Sequence, residues 1–275
     1  MSVPAAALPE LASDYRLSPE QIADYRSNGH ILLRGVCTPE EIAVYREIIV
    51  DAAMRHNRET RPLEERDTYG KAFLQIMNLW AVDEGVKKYT LSRRFAGIAA
   101  QLMEVDRVRL YHDQALFKEP GGGHTPWHQD QFYWPLDSPK TVTMWMPLVN
   151  ISPVMGSMSF ANGSHAQGFI PISSQISDVS EAYFEGYCAG KGYAMTGGGE
   201  MQAGDATFHS GWTLHRAPGN VTDRVREVMT LIYYPDGTTV HDPKNDFQAA
   251  DHKTWLNSIP AGQIADGPLN PVVYP

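Results

Sequence analysis

The segment His128-Gln129-Asp130 holds the residue types with the most chemistry in this chain. In an extended strand successive side chains alternate faces, so His128 and Asp130 point one way and Gln129 the other. An imidazole beside a carboxylate makes two legs of a 2-His-1-carboxylate triad, which holds Fe(II) and leaves sites open for a cosubstrate and O2. The third leg has to come from elsewhere. His215, in Trp-Thr-Leu-His-Arg-Ala-Pro-Gly-Asn, is the best candidate, with His209 and His124 as rivals. His124 and His128 would need a helix to share a metal. Gly121-Gly122-Gly123 and Pro126 argue against one. His124 is therefore read as lying beside the metal or facing the substrate. His-x-Asp also occurs as a plain surface pair, so the neighbouring residues must decide.

Arg226 opens an apolar run from Val228 to Tyr234. A cation buried there needs an anion. A dicarboxylate would supply one through a bidentate guanidinium contact. The alternative is a surface Arg beside Asp223 or Glu227. Aromatic and Met residues gather near the same segments: Trp127, Phe132, Tyr133, Trp134, Met146, Met158 and Trp212. Such side chains suit a mostly apolar ligand of moderate size, though each is equally at home in a core. Tyr133 and Trp134, with His124 and Trp212, are the expected substrate contacts. Thr196 to Glu200 is Gly-rich but lacks the Lys of a phosphate loop and reads as a mobile turn.

The elements that must position these residues fall into two textures. Residues 1–16 read as a flexible lead-in and 17–275 as one domain. Ser18-Pro19-Glu20-Gln21 and Thr38-Pro39-Glu40-Glu41 are helix starts, and Asn28-Gly29 is a left-handed stop. His30 to Val36 has strand length. Ile42, Tyr45, Ile49 and Ala52 share one helical face, and another helix runs from about Ser92. Asn57 to Gly70 reads as a loop. From about residue 105 the chain becomes short strands between Gly, Pro, Asn and Asp turns: 107–111, 114–118, 141–149, 156–160, 205–209 and 227–234. Helices to about 104, then strands to about 236, predict a mainly β jelly roll, cupin-like, with flanking helices. The tail after Asp236 is expected to wrap the surface.

Composition narrows the partners. The 275 residues are 43% hydrophobic and 20% charged, enough for a well-buried core. A net charge of −9 argues against nucleic acid or an anionic membrane. Cys37 and Cys188 are the only cysteines. Far apart, they read as free thiols in a cytoplasmic protein. No run is long and apolar enough to span a bilayer, and no signal peptide is evident.

Taken together these stretches resemble the phytanoyl-CoA dioxygenase (PhyH)-like family of Fe(II)/2-oxoglutarate oxygenases. The resemblance rests on Lys118-Glu-Pro-Gly, Pro126-Trp-His-Gln-Asp-Gln-Phe-Tyr, Met144-Trp-Met-Pro-Leu, Gly156-Ser-Met-Ser-Phe-Ala-Asn-Gly-Ser-His165, and Gly204 to Asn220 with Arg226. They come in the family's order over roughly residues 15 to 240. The resemblance implies a double-stranded β-helix. It assigns the metal to His128, Asp130 and His215, and the cosubstrate to Arg226, Trp145, Gln114 and Lys71. It implies Fe(II), 2-oxoglutarate and O2, with succinate and CO2 released and a small molecule oxidised. Ala161-Asn162 departs from the family's Pro-Gly-Ser-His turn. Asp130 separates the chain from related halogenases, which carry a small residue there. An acyl-CoA substrate is not implied, because CoA would call for a basic patch. Two other classes use a similar site: a cupin-like metal-dependent isomerase or hydrolase without 2-oxoglutarate, and a non-catalytic jelly-roll binding module. The first needs no buried cation at position 226, and an intact His128/Asp130/His215 set argues against the second.

Overall fold

In the computed structural model, residues 8–172 and 176–274 are described. Two helices start where the capping chemistry predicts. α1 (Pro19–Asn28) and α2 (Pro39–His56) carry capping boxes at Ser18 and Thr38, and Gly29 closes α1 in the left-handed region. Between them β1 (His30–Leu33) is shorter than expected. The segment read as a loop folds instead into a 3-10 turn at Leu63–Glu65 and α3 (Thr68–Ala72), which Asp67 caps through Gly70 N. Polar composition hid it, since a helix this short needs one cap more than an apolar face. Next come β2 (Leu74–Met77), α4 (Glu84–Thr90) and α5 (Arg93–Met103).

The sheet-forming half contains β3 (Val108–Lys118), β4 (Thr125–His128), β5 (Val142–Pro147), β6 (Ser159–Ala161), α6 (Asp178–Lys191), β7 (Met195–Gly197), β8 (Ala206–Ser210), β9 (His215–Ala217), β10 (Arg226–Pro235), α7 (Asp246–Trp255) and β11 (Val272–Tyr274). Among the described residues one sheet runs β1-β8-β5-β10-β3-β11, with β2 also on β3, and a second runs β4-β9-β6-β7. All pairings are antiparallel. This is the expected mainly β jelly roll with flanking helices. The Gly-rich segment expected as a turn partly becomes the edge strand β7.

Alternation on the large sheet decides what faces the site. Val142, Met144 and Met146 of β5, and Met229, Leu231 and Tyr233 of β10, enter the core shared with α2, α4 and α5. Their neighbours Thr143, Trp145, Arg226, Thr230 and Ile232 line a cavity between the sheets. β3 has one irregularity. Its register against β10 shifts between Leu231 and Tyr233, so Tyr111 and His112 act as a bulge. The two strands expected at 107–111 and 114–118 are therefore one. Asp113 interrupts the apolar pattern because it accepts hydrogen bonds from Leu79 N, Trp80 N and Thr90 Oγ1.

The lead-in is not free throughout. Leu8 and Leu11 are buried in the main core, and Arg94 N donates to Leu11 O; residues 1–7 lie outside the described residues. The Arg94 guanidinium ties this segment to α2. It donates to Glu41 at 2.7 and 2.8 Å, to Ser13 Oγ and to Val36 O. Breaking a largely buried ion pair costs roughly 3 kcal/mol or more. Arg94→Ala should lower the urea midpoint accordingly, and an unchanged midpoint would show the pair to be ornamental. Among the described residues no helix is long and apolar enough to cross a membrane.

Candidate active site

β4 and β9 pair so that His128 stands opposite His215, with ring centroids 4.1 Å apart. β4 ends at His128 and a 3-10 turn begins at Asp130. Gln129 between them is extended, so the expected alternation survives the end of the strand. Gln129 turns away and ties loops together, donating to Gly168 O and Trp212 O. Asp130 turns inward. Its Oδ1 lies 3.4 Å from His128 Nε2 and 3.6 Å from His215 Nε2.

The donors are oriented by their outer partners. His128 Nδ1 lies 2.8 Å from Pro126 O and His215 Nδ1 lies 2.9 Å from Thr213 O. A carbonyl only accepts, so each Nδ1 carries a proton and each Nε2 is left facing the centre. Asp130 Oδ2 accepts from Thr143 Oγ1 at 2.8 Å and meets His209 Nε2 at 3.1 Å. That leaves Oδ1 facing the two imidazoles. Burial would raise the Asp130 carboxyl, but His215, His128 and His209 hold it well below the usual carboxylate range. Burial and His128 push His215 well below the ordinary imidazole value. Metal ligands must be deprotonated, and both shifts run in that direction.

His128, Asp130 and His215 offer ligand atoms within 4.8 Å of one another. Two imidazole nitrogens and one carboxylate oxygen on one side suit Fe(II) with open positions. His209, a rival ligand in the sequence, instead steadies Asp130. Outer partners of this kind are worth about 10–100-fold in metal affinity. Thr143→Val keeps the volume and removes one donor. We expect a roughly tenfold loss of Fe(II) affinity in chelator competition. Equal affinity would mean that Oδ2 needs no anchoring.

The cavity of about 300 Å³ beside this cluster is lined by Gln114, Tyr133, Trp134, Trp145 and Arg226 as well as the three ligand candidates. Arg226 is 1% exposed, so the surface-Arg alternative fails. Glu227, its neighbour, points the other way to Arg46. Arg226 donates to Gly156 O at 2.7 Å, and its guanidinium carbon lies 5.3 Å from the Trp145 ring centroid. Gly156 sits at φ 91°, and a Cβ there would meet Pro218 O at 2.7 Å. Arg226 Nε has no partner. Lys118 stands opposite Arg226 in the ladder and is fully buried. It donates to Gly123 O and Thr125 Oγ1. Burial pushes Arg226 down to about 9, and burial with Arg226 beside it pushes Lys118 down to about 6. Among the described residues neither side chain meets a carboxylate. Arg226, a buried cation without an anion on the cavity wall, forms a site for an anionic ligand.

Three expected contacts sit otherwise. Lys71 packs against Gly123 by its backbone, and it is not among the residues lining the cavity. His124 is half-exposed, 3.8 Å from Asp178. Trp212 rests against Phe169 outside the cavity. Gln114 lines it as part of a chain, accepting from Gln75, which accepts from Tyr69. Sequence reasoning missed Tyr69, Phe73, His112, Phe247 and Asp251, all on the cavity wall. The polar pair His112-Asp113 was the one visible signal. Nothing in the Asn- and Asp-rich tail marked Asp251.

The family model for phytanoyl-CoA dioxygenase (PhyH) matches residues 25–228. A methylphosphonate hydroxylase of Gimesia maris is 24% identical over 228 residues, spanning 79% of this chain and 80% of that protein. Among solved structures, the α-ketoglutarate-dependent carbocyclase SnoK from nogalamycin biosynthesis is 23% identical, with a TM-score of 0.76 over 95% of this chain and 99% of that one. The epimerase SnoN in complex with Fe3+, α-ketoglutarate and nogalamycin RO is 21% identical, with a TM-score of 0.75 over 92% and 97%.

Proposed function

The chain belongs to the phytanoyl-CoA dioxygenase family of Fe(II)/2-oxoglutarate oxygenases, and from that premise we propose that it hydroxylates an unactivated C–H of a small, largely apolar metabolite. The single observation that carries the reading is Arg226, a buried cation without a carboxylate, in the same cavity as the His128/Asp130/His215 cluster. A cupin-like isomerase or hydrolase has no use for it. His128, Asp130 and His215 would hold iron, and Arg226 would take the distal carboxylate of 2-oxoglutarate against Trp145 and Gln114. Bound iron with 2-oxoglutarate and O2 supplies the power to oxidise a C–H bond. Overall, R–H, O2 and 2-oxoglutarate give R–OH, succinate and CO2.

The chain's own part is to bind, orient and exclude water. Trp134 and Tyr133 close the cavity beside Asp130, and the Tyr133 hydroxyl accepts from Ile176 N. The relatives named above include a carbocyclase and an epimerase, so product analysis is part of the test. Succinate release should be slow without substrate and rise when a fitting compound is added. If compounds of every class leave release unchanged, substrate gating fails for this enzyme.

A further inference from the structure

The cavity holds one charge that the proposed chemistry does not use. Asp130 is committed to the metal and Arg226 to the cosubstrate. Arg216 is paired with Glu181 and Glu185 at 2.7 and 2.8 Å. Asp251 is left over. It projects from α7 into the cavity wall and is only partly exposed. Its Oδ2 accepts from Tyr111 Oη at 3.0 Å, and Trp255 lies beside it. Among the described residues no Lys, Arg or His pairs with it.

The fold goes to some length to place this carboxylate. The bulge in β3 turns Tyr111 and His112 to the same side, their rings 4.7 Å apart and both near Trp134. Asn245 caps α7, and both Asn245 and Gln248 donate to Phe132 O, pinning the helix to the turn that carries Asp130. Phe247, one turn before Asp251, packs on Tyr133 at 5.6 Å. Burial pushes both Tyr69 and Tyr133 up, and Asp130 and Asp251 each push further in the same direction. The two phenols therefore stand within the field of both carboxylates. Metal centre and spare carboxylate share one chamber walled by Tyr69, Phe73, Tyr133, Trp134 and Phe247.

A carboxylate in such a chamber is costly unless a positive group joins it. Aromatic faces attract the same kind of group. We propose that the substrate carries a protonated amine, that Asp251 binds it by a charge-assisted hydrogen bond, and that this contact decides which C–H lies over the metal. The proposal rests on the oxygenase reading and names its substrate class. Asp251 is a specificity residue here, remote from bond breaking. Burial pushes its carboxyl up to about 7, and an ammonium group beside it would draw it back down.

The test uses full-length enzyme loaded with Fe(II) and 2-oxoglutarate under anaerobic conditions. Matched pairs of arylalkyl and cycloalkyl-alkyl compounds, such as 2-phenylethylamine against 2-phenylethanol, are titrated calorimetrically. Each pair is then assayed for stimulated succinate release in air. At least one amine should bind tenfold or more tighter than its alcohol. Asp251→Asn, which keeps the shape and the acceptor oxygen, should bring that ratio close to one. Tyr111→Phe, which removes a hydrogen bond and keeps the charge, should preserve the preference. The dissociation constant for 2-oxoglutarate should be equal in all three proteins. No preference for any amine, including no binding by any member of the set, overturns the proposal. So does a preference that survives in Asp251→Asn. Failure to bind 2-oxoglutarate at all is a different result, and it would strike the oxygenase reading.

Discussion

Asp130→Ala is expected to purify without iron and to release no succinate. The variant removes the anionic ligand and leaves two imidazoles facing each other across β4 and β9. Loss of an outer partner alone costs about 10–100-fold in metal affinity, so loss of the ligand should cost more than about 100-fold. The fold should survive. Asp130 sits at the start of a turn, and the strand pairing that brings His128 to His215 does not involve it. Thermal unfolding of the metal-free protein supplies the control. His209→Ala separates the ligand from its support: it should weaken iron binding yet leave it measurable at high Fe(II). If Asp130→Ala retains one iron per chain, the metal lies elsewhere and the three-residue assignment is wrong.

Arg226→Ala should weaken 2-oxoglutarate binding by roughly 100-fold while leaving iron in place. A charge-assisted hydrogen bond contributes on the order of 1.5–3 kcal/mol, and a bidentate pair lies at or above the upper end. With about 1.4 kcal/mol per tenfold change, that is a hundredfold or more. The structure sharpens the expectation. Arg226 is held from one side by Gly156 O and flanked by Trp145, so its guanidinium is already in position when the anion arrives. Arg226→Lys should fall between wild type and Ala, because Lys keeps the charge but loses the planar fork. The readout is the Michaelis constant for 2-oxoglutarate with iron content as control. An unchanged constant at normal iron content would remove 2-oxoglutarate from the reading and favour a cupin-like enzyme.

The residue types and their short-range order were sufficient for much of this. His-x-Asp alternation, the Ser18 and Thr38 helix starts and the apolar strands after residue 105 are local signals. Local geometry decided them, and the structure follows them. Burial of Arg226 was only half readable: the apolar run from Val228 suggested it, while Asp223 and Glu227 offered a surface ion pair instead. Where prediction failed, a long-range partner had replaced a local one. His112-Asp113 looked like the end of a strand because Asp113 finds its donors in the segment 79–90. α6 buries Ser180, Phe184 and Cys188, too sparse a set to announce a helix. Its Glu181 and Glu185 matter through Trp127 and Arg216, which lie far away in sequence.

By itself, then, the sequence determined which chemistry was available: two imidazoles, a carboxylate and a guanidinium, on a strand-rich scaffold with helices before it. It put His215 ahead of its rival His209 but held no physical reason for the order. Both are buried near Asp130, and the choice depends on which carboxylate oxygen each imidazole meets and on what lies behind its other nitrogen. His215 meets Oδ1 with Thr213 O behind it, whereas His209 meets Oδ2 with no partner behind it. Nor could it place Asp251. A carboxylate in a polar tail is ordinary until a helix cap, a strand bulge and two glutamine and asparagine contacts to Phe132 O carry it into the chamber. Those are distances across the fold, and only packing of the whole chain sets them.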